Sequence, residues 1–159
     1  MISYEENTNK FNFRVGGIIE SPDKKKILIH RLSNFDFWLL PGGRVEMLED
    51  TKKAILREIE EELGIKVTID RLVAITESFF DIKSITYHEL AFNYLLQFPE
   101  DSELLQKESE FAGIEGEKYR YMWVNKEDLN NIRFKPDYII PILQNIPDKT
   151  THIIKDERK

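Results

Sequence analysis

The part of this chain best suited to chemistry is an acidic run that holds Glu58, Glu60, Glu61 and Glu62. In a helix, Glu58, Glu61 and Glu62 stand at positions i, i+3 and i+4 and share one face. Like charges at that spacing repel by about 0.2–0.5 kcal/mol per pair, so stability alone does not favour them. A divalent cation would cancel the repulsion, and carboxylate oxygens suit Mg²⁺ or Mn²⁺. A solvated acidic surface is the alternative interpretation.

The acidic run lies in a predicted helix over residues 50–63. Asp50 or Thr51 can cap its start, and Gly64 follows at the position where helices often end in a left-handed residue. Aliphatic residues recur every four positions along it, at Ile55, Ile59 and Leu63. This stripe predicts one helix face buried in a core and a different face carrying the carboxylates.

Composition restricts the chain to a few classes of protein. Its 159 residues are 41% hydrophobic and 33% charged, the balance of an ordinary globular domain. The absence of cysteine excludes disulfide scaffolds, thiolate metal sites and cysteine nucleophiles. The net charge of −6 disfavours nucleic acid as a partner, and an anionic substrate would need a cation to mediate its binding. No apolar run reaches the ~18 residues of a membrane span, and residues 1–12 lack a signal-peptide pattern, so we expect a cytoplasmic protein.

Alternating apolar residues predict strands on both sides of the helix. The predicted strands are residues 14–20, 26–32, 37–40, 68–80, 88–98 and 119–124. Residues 41–43 are predicted to be a glycine loop, and residues 99–116 a loop with at most a helical turn. A short helix is predicted from residue 125 and a second helix over residues 137–146, while the polar tail from about residue 147 should fray. The pattern favours a single α+β domain over residues 1–159.

The segment from Gly43 to Ile65 resembles the Nudix box, G-x5-E-x7-R-E-U-x-E-E-x-G-U, in which U is a bulky aliphatic residue. Every defining position is met, by Gly43, Glu49, Arg57, Glu58, Ile59, Glu61, Glu62, Gly64 and Ile65. The box is the signature of hydrolases of nucleoside diphosphates linked to another moiety. The resemblance implies a Nudix-type α/β/α sandwich with a mixed β-sheet, and a diphosphate bond cleaved with the help of Mg²⁺ or Mn²⁺.

The resemblance also implies roles for individual residues. The implied metal ligands are Glu58, Glu61, Glu62 and the backbone carbonyl of Gly42. Arg57 and Glu49 resemble the pair that orients the metal-binding carboxylates. The position before Glu49 is often glycine in the family and is Leu48 here, which bears on the shape of the loop.

The general base varies within the family between a glutamate of the box and one on a later loop. Within the box we assign a catalytic role to Glu61. The candidates outside it are Glu77, Glu89, Glu115 and Glu117. Glu117 is favoured among these because it stands in a loop that enters a strand, as a late metal-binding or base glutamate does in nucleotide-cleansing members. For each of the four, an ordinary surface role is the alternative.

Substrate contacts are predicted around the glycine loop. Arg31 and Arg44 flank it, and a guanidinium can bind a phosphate with two hydrogen bonds, although surface arginine is the alternative. Nearby aromatic residues that either stack a nucleobase or pack in the core are Phe35, Phe37 and Trp38. The histidines are not expected to be ligands or bases; His30 and His88 are interpreted as polar positions on half-exposed strands and His152 as part of the tail.

We therefore expect a Nudix hydrolase of a small nucleotide or nucleotide conjugate. Candidate substrates are nucleoside triphosphates, nucleotide sugars, ADP-ribose and dinucleoside polyphosphates. A non-catalytic nucleotide-sensing domain is one alternative, but such domains usually lose box glutamates. Removal of a 5′ pyrophosphate from RNA is another, and the negative charge disfavours it. The family includes many dimers, so a homodimer is left open.

Overall fold

The computed structural model describes residues 1–159 and contains nine strands and two α-helices. The strands are β1 (Ser3–Glu6), β2 (Asn9–Ile19), β3 (Lys26–Leu32), β4 (Gly42–Arg44), β5 (Thr68–Ile82), β6 (Ile85–Gln97), β7 (Phe111–Gly113), β8 (Gly116–Asn125) and β9 (Thr151–Asp156). The α-helices are α1 (Thr51–Leu63) and α2 (Ile140–Gln144), and 3-10 helices cover Glu103–Gln106, Lys126–Asn131 and Asp137–Ile139. Neither α-helix is long and apolar enough to cross a membrane.

The larger of the two sheets is mixed, as predicted. Its strand order is β1-β2-β6-β5-β9, and β4 pairs with β2. The pairs β2–β6 and β5–β9 are parallel, and the remaining pairs are antiparallel. The smaller sheet, in the order β3-β8-β7, is antiparallel. The strands predicted over residues 14–20 and 26–32 are both present, but they belong to different sheets.

Two hydrophobic cores lie on opposite faces of the larger sheet. The helix α1 packs with Val15 and Ile19 of β2 in one core, and α2 packs with Ile18 in the other. Because neighbouring residues of a strand point to opposite faces, Ile18 and Ile19 place the two helices on opposite sides of the sheet. This arrangement confirms the predicted α/β/α sandwich.

The helix α1 forms where the sequence predicts it. Asp50 caps its start, since its side chain accepts a hydrogen bond of 2.9 Å from the backbone N–H of Lys53. Gly64 ends it with a φ of 68°, in the left-handed region that glycine adopts without strain. The predicted stripe of Ile55, Ile59 and Leu63 is buried.

The prediction was wrong for the segment before α1. Residues 37–40 do not form a strand, because Trp38 and Leu39 make only isolated bridges to separate partners, Phe134 and His30. The predicted glycine loop instead contributes β4, which pairs with β2. A Cβ atom on Gly42 would lie 2.1 Å from the Val15 carbonyl oxygen, so only glycine allows this approach.

Three further strands were missed, namely β1, β7 and β9. The predicted frayed tail contains β9, which pairs with β5 as an edge strand and leaves His152 and Ile154 exposed. Its polar residues lie on the exposed edge of the sheet, so a polar composition did not distinguish this edge strand from a frayed tail. Within residues 99–116 the predicted helical turn is present, but β7 was not expected. It is held by Phe111, which stacks on Tyr121 of β8 at 5.7 Å.

Candidate active site

Arg57 is the centre of a carboxylate network on the outer face of α1. Its Nε and Nη2 atoms donate to the two oxygens of Glu49, at 2.7 and 2.9 Å. Its Nη1 atom donates to Glu58 at 3.0 Å and to Glu61 at 3.2 Å. Nη2 also donates to the backbone carbonyl of Arg44 at 3.2 Å. One guanidinium therefore joins β4, the loop after it and the helix.

A tight turn before α1 places Glu49 beneath Arg57. The Glu49 N–H donates to the Glu46 carbonyl at 3.2 Å, and the Glu46 N–H donates to the Glu49 carboxylate at 3.0 Å. Leu48 has a φ of 66°, and its side chain is 100% exposed. The turn thus keeps a left-handed residue although leucine replaces the glycine common in the family. The hydrogen bond from Arg57 lowers the pKa of Glu49.

Glu58 lies against the backbone of β4. A Cβ atom on Gly43 would come within 2.4 Å of the Glu58 carboxyl carbon, so any side chain at that position would displace the Glu58 carboxylate. The Glu58 side chain is only 16% exposed. Burial raises the pKa of Glu58, although the hydrogen bond from Arg57 acts in the opposite direction. Glu58 is therefore a carboxylate for which additional positive charge is favourable.

Glu62 points away from that network into the protein and is 2% exposed. The Tyr121 hydroxyl donates to Glu62 Oε2 at 3.1 Å, and His30 Nδ1 lies 3.5 Å from the same oxygen. Burial and the Glu62 charge raise the pKa of Tyr121, so its hydroxyl stays protonated. His30 itself is 2% exposed, so its interpretation as a half-exposed strand residue was wrong.

Sequence reasoning missed Tyr121 and His30 as neighbours of the acidic helix. The register of the smaller sheet sets them directly opposite each other on β8 and β3. The alternating pattern of β8 predicts which face of the strand carries Tyr121, but only the fold shows that β3, with His30, lies alongside it.

The donor types fit a divalent cation. Glu58, Glu61 and Glu62 carry carboxylate oxygens on consecutive turns of α1, and Gly43 leaves room for the Glu58 carboxyl next to the β4 backbone, beside Gly42. In this structure, no three histidine or acidic side chains converge as a ready ligand set. The reason is visible in the contacts, because Arg57 holds Glu58 and Glu61 while Tyr121 holds Glu62.

The candidate bases lie in different environments. Glu61 is part of the Arg57 network, with its side chain 54% exposed. Glu117 is 81% exposed and pairs with Arg120 at 2.8 Å. It follows the β7–β8 turn, which touches the end of α1 through a 2.9 Å hydrogen bond from the Ile114 N–H to the Glu62 carbonyl.

The other predicted bases are not joined to the Arg57 network. Glu77 pairs with His152 of β9 at 2.6 Å, on the far edge strand of the larger sheet. Glu89 lies on β6 and Glu115 is exposed in the β7–β8 turn.

Arg31 is engaged by protein groups. Its Nη1 donates to the carbonyls of Ser33 and Phe35 at 3.2 and 3.0 Å, and Nη2 donates to Glu110 at 3.3 Å. The guanidinium also lies 5.1 Å from the ring centre of Trp38. Its predicted role as a phosphate ligand stays a prediction.

The remaining predicted substrate contacts are split between surface and core. The Arg44 Nη1 atom lies 2.8 Å from Met1 Sδ. The Arg44 backbone carbonyl, rather than its guanidinium, contacts the Arg57 network. Phe35 and Phe37 stack on each other at 5.0 Å, with Phe35 exposed. Trp38 is buried in the core beside α2, which favours a packing role.

Comparison with known proteins agrees with this architecture. The family model described as NUDIX domain matches residues 10–144. The human diphosphoinositol polyphosphate phosphohydrolase 3-alpha is 36% identical over 81 residues, which cover 50% of this chain and 49% of that protein. A MutT-like protein of Streptomyces ambofaciens is 36% identical over 61 residues, or 38% of this chain and 39% of that protein. The chain thus spans half or less of the length of these curated relatives.

Solved structures show the same fold over most of the chain. A MutT Nudix hydrolase from Burkholderia pseudomallei has a TM-score of 0.61 and 25% identity, covering 86% of this chain and 98% of that one. A Nudix hydrolase from Nitrosomonas europaea has a TM-score of 0.61 and 21% identity, covering 98% of this chain and 82% of that one, and shows the fold alone. With a complete box on α1 and a family match over residues 10–144, this chain belongs to the Nudix family.

Proposed function

We propose that this chain hydrolyses a phosphoanhydride bond in a nucleoside diphosphate linked to another moiety, with Mg²⁺ or Mn²⁺ as cofactor. The observation that carries the proposal is the Arg57 network, in which box carboxylates are gathered beside a glycine strand. Membership of the Nudix family supports it. The complete set of box glutamates favours an enzyme over a nucleotide-sensing domain, and the proposal includes a cytoplasmic location.

The cation would be held by Glu58, Glu61, Glu62 and the carbonyl of Gly42. When bound, it neutralises phosphate oxygens and stabilises the departing phosphate. Charge supports this assignment: Arg57 alone faces the carboxylates of Glu49, Glu58 and Glu61. The outer face of α1 therefore remains negative and attracts a further cation.

The protein's own groups orient the reactants and move the proton. Arg57 and Glu49 fix the carboxylates relative to β4, a role that affects metal sites strongly although neither residue is a ligand. Glu61 is our first candidate to accept the proton of the attacking water, because it is on the same face and half exposed. Glu117 is the second, and it would have to leave Arg120 to act.

A diphosphate is the element of the substrate that we propose this site recognises. The relatives and neighbours are named for diphosphoinositol polyphosphates and for UDP-X, so they share a diphosphate and differ in the group attached to it. We propose a small soluble substrate, with a nucleotide as the attached group. A diphosphoinositol polyphosphate belongs in the test because of the 36% identity to the human phosphohydrolase.

Separation of the reaction products by anion-exchange chromatography tests the proposal directly, because cleavage of the phosphoanhydride bond gives two smaller phosphate-bearing products. Nucleoside triphosphates, nucleotide sugars, ADP-ribose, dinucleoside polyphosphates and a diphosphoinositol polyphosphate are incubated with the protein in Mg²⁺, in Mn²⁺ and in EDTA. We expect turnover that EDTA abolishes, that Glu58→Gln reduces by more than about 100-fold, and that Glu60→Gln leaves unchanged. Glu60 is the matched control because it lies exposed on the same helix, outside the box pattern.

The opposite outcome would be equally clear. If no compound is turned over, yet a nucleotide raises the melting temperature, the chain is a binding domain and the catalytic proposal fails.

A further inference from the structure

Beneath Glu62 lie two buried polar side chains that the box does not account for. Tyr121 is fully buried, and its hydroxyl hydrogen-bonds Glu62 Oε2. His30 is one of only two residues with a buried side-chain polar atom that has no hydrogen-bond partner, and that atom, Nδ1, faces the same oxygen at 3.5 Å. Buried polar atoms without partners are rare and need an explanation.

We propose that Tyr121 and His30 are positioning residues that hold one oxygen of Glu62, so that its other oxygen is presented to the cation. This inference rests on the proposed function, since it concerns the same metal site. Both groups approach Oε2, whereas Oε1 accepts no hydrogen bond from the protein and is not among the buried atoms without a partner. Oε1 is therefore the oxygen left for a ligand.

The two positioning side chains are themselves held rigidly. Tyr121 stacks on Phe111 of β7, with ring centres 5.7 Å apart. His30 stacks on Tyr119 at 5.3 Å and an interplanar angle of 10°. The antiparallel register of β3 and β8 places His30 opposite Tyr121, so the backbone fixes both rings relative to each other. A rigid support is what a ligand carboxylate needs to keep one orientation.

The chemistry of the support suits a metal ligand. Tyr121 is a neutral donor, so it orients Glu62 without placing a positive charge beside the cation. Arg57, by contrast, places a positive charge beside Glu58 and Glu61, and that charge would compete with the cation for their oxygens. Glu62 is thus the carboxylate that the fold sets in place before any cation arrives.

Binding of Mn²⁺ to the protein without substrate tests this role. The free Mn²⁺ is followed by electron paramagnetic resonance for the wild type, Tyr121→Phe, His30→Phe and the control Tyr119→Phe. Tyr121→Phe removes only the hydroxyl and should raise the Kd for Mn²⁺ by about 10–100-fold. His30→Phe keeps the ring stack, removes Nδ1 and should raise the Kd less, because its contact is longer. Tyr119→Phe removes a hydroxyl of the same strand that has no hydrogen bond to Glu62, so its Kd should match the wild type.

Activity gives a second readout that a merely structural role would not move. In Tyr121→Phe the Mn²⁺ concentration for half-maximal activity should rise with the Kd, whereas kcat at saturating Mn²⁺ should recover and the melting temperature should stay near the wild-type value. Should Tyr121→Phe fail to fold, His30→Phe decides the question by the same measurements.

The failures are distinguishable. If the wild type binds Mn²⁺ and both Tyr121→Phe and His30→Phe bind it equally well, the positioning role is overturned while the proposed function stands. If the wild type binds no Mn²⁺, the metal site and the positioning role fall together.

Discussion

Glu58 and Glu62 lie one turn apart on α1, yet the protein holds them in opposite ways. Glu58 lies in the Arg57 network (Arg57, Glu49, Glu58 and Glu61), called the outer network below, where it accepts a hydrogen bond from the charged Arg57. Glu62 is 2% exposed and lies in the protein interior, where Tyr121 and His30 approach its carboxylate. In the proposed metal site, a cation would compete with Arg57 for the outer carboxylates. The inner carboxylate would keep the orientation that Tyr121 and His30 give it.

The largest effect should come from the inner side. Glu62→Gln keeps an acceptor for Tyr121 but loses the negative charge, so activity should fall by more than about 100-fold. The melting temperature should not fall, because a buried amide costs less than a buried carboxylate. Product formation, followed by anion-exchange chromatography, and thermal unfolding measure the two quantities. A variant that loses stability and activity together would mean that Glu62 serves mainly the core.

The next effect should come from the centre of the outer network. Arg57→Lys keeps the charge but cannot form the paired hydrogen bonds to Glu49. We expect activity to fall by about 10–100-fold and the free energy of unfolding by about 2 kcal/mol. Urea unfolding and steady-state kinetics check both.

A matched control for that substitution is Arg133→Lys. Arg133 pairs with Asp36, and both side chains are well exposed, so the change should cost under about 0.5 kcal/mol. Equal losses in Arg57→Lys and Arg133→Lys would show that the outer network is an ordinary surface ion pair.

The contribution of Glu49 to the free energy of unfolding should depend on pH. Arg57 holds the pKa of Glu49 below its ordinary value of 4.5. A lowered carboxyl pKa adds stability above the unfolded value, and this stability is lost as the pH falls through the folded value. Glu49→Gln should therefore unfold about 1 kcal/mol more easily than the wild type near neutral pH. The difference should shrink toward zero below pH 4.5. A difference that persists at low pH would mean that Glu49 contributes by packing rather than by charge.

The smallest effect should come from the turn that carries Glu49. Leu48 holds a left-handed conformation that costs a non-glycine residue about 1 kcal/mol, and its exposed side chain packs on nothing. Leu48→Gly relieves that strain but loosens the unfolded chain, so we expect a net gain of about 0.5 kcal/mol. Met47→Gly is the control, since Met47 is 73% exposed at ordinary φ and should lose stability. Equal changes in both variants would rule out strain at Leu48.

Much of the outer network could be predicted because it is local. The caps at Asp50 and Gly64 and the spacing of Arg57, Glu58 and Glu61 depend on residues a few positions apart, and helix geometry alone then sets their face. Glu49 joined them through its place in the box pattern. The local rules failed at Glu62, which they assigned to the same helix face as Glu58 and Glu61.

The failures elsewhere share one physical cause, which is pairing between distant strands. Residues 37–40 look like a strand, yet the hydrogen bonds of Trp38 go to partners as far away as Arg133 and Lys135. The polar tail looks frayed, yet β5 offers it an open edge. A strand pattern shows which side chains share a face, but not which strand lies alongside.

The sequence by itself therefore determined the helix and its caps, because short-range spacing decides both, and the box pattern implied the α/β/α class by its resemblance to the Nudix family. Only the tertiary structure decided where the carboxylates point. The register of β3 with β8 brings His30 and Tyr121 together under Glu62, and the close pairing of β4 with β2 puts Gly43 beneath Glu58. These contacts join residues far apart in the chain, so they exist only once hydrophobic burial has brought sheets and helix together.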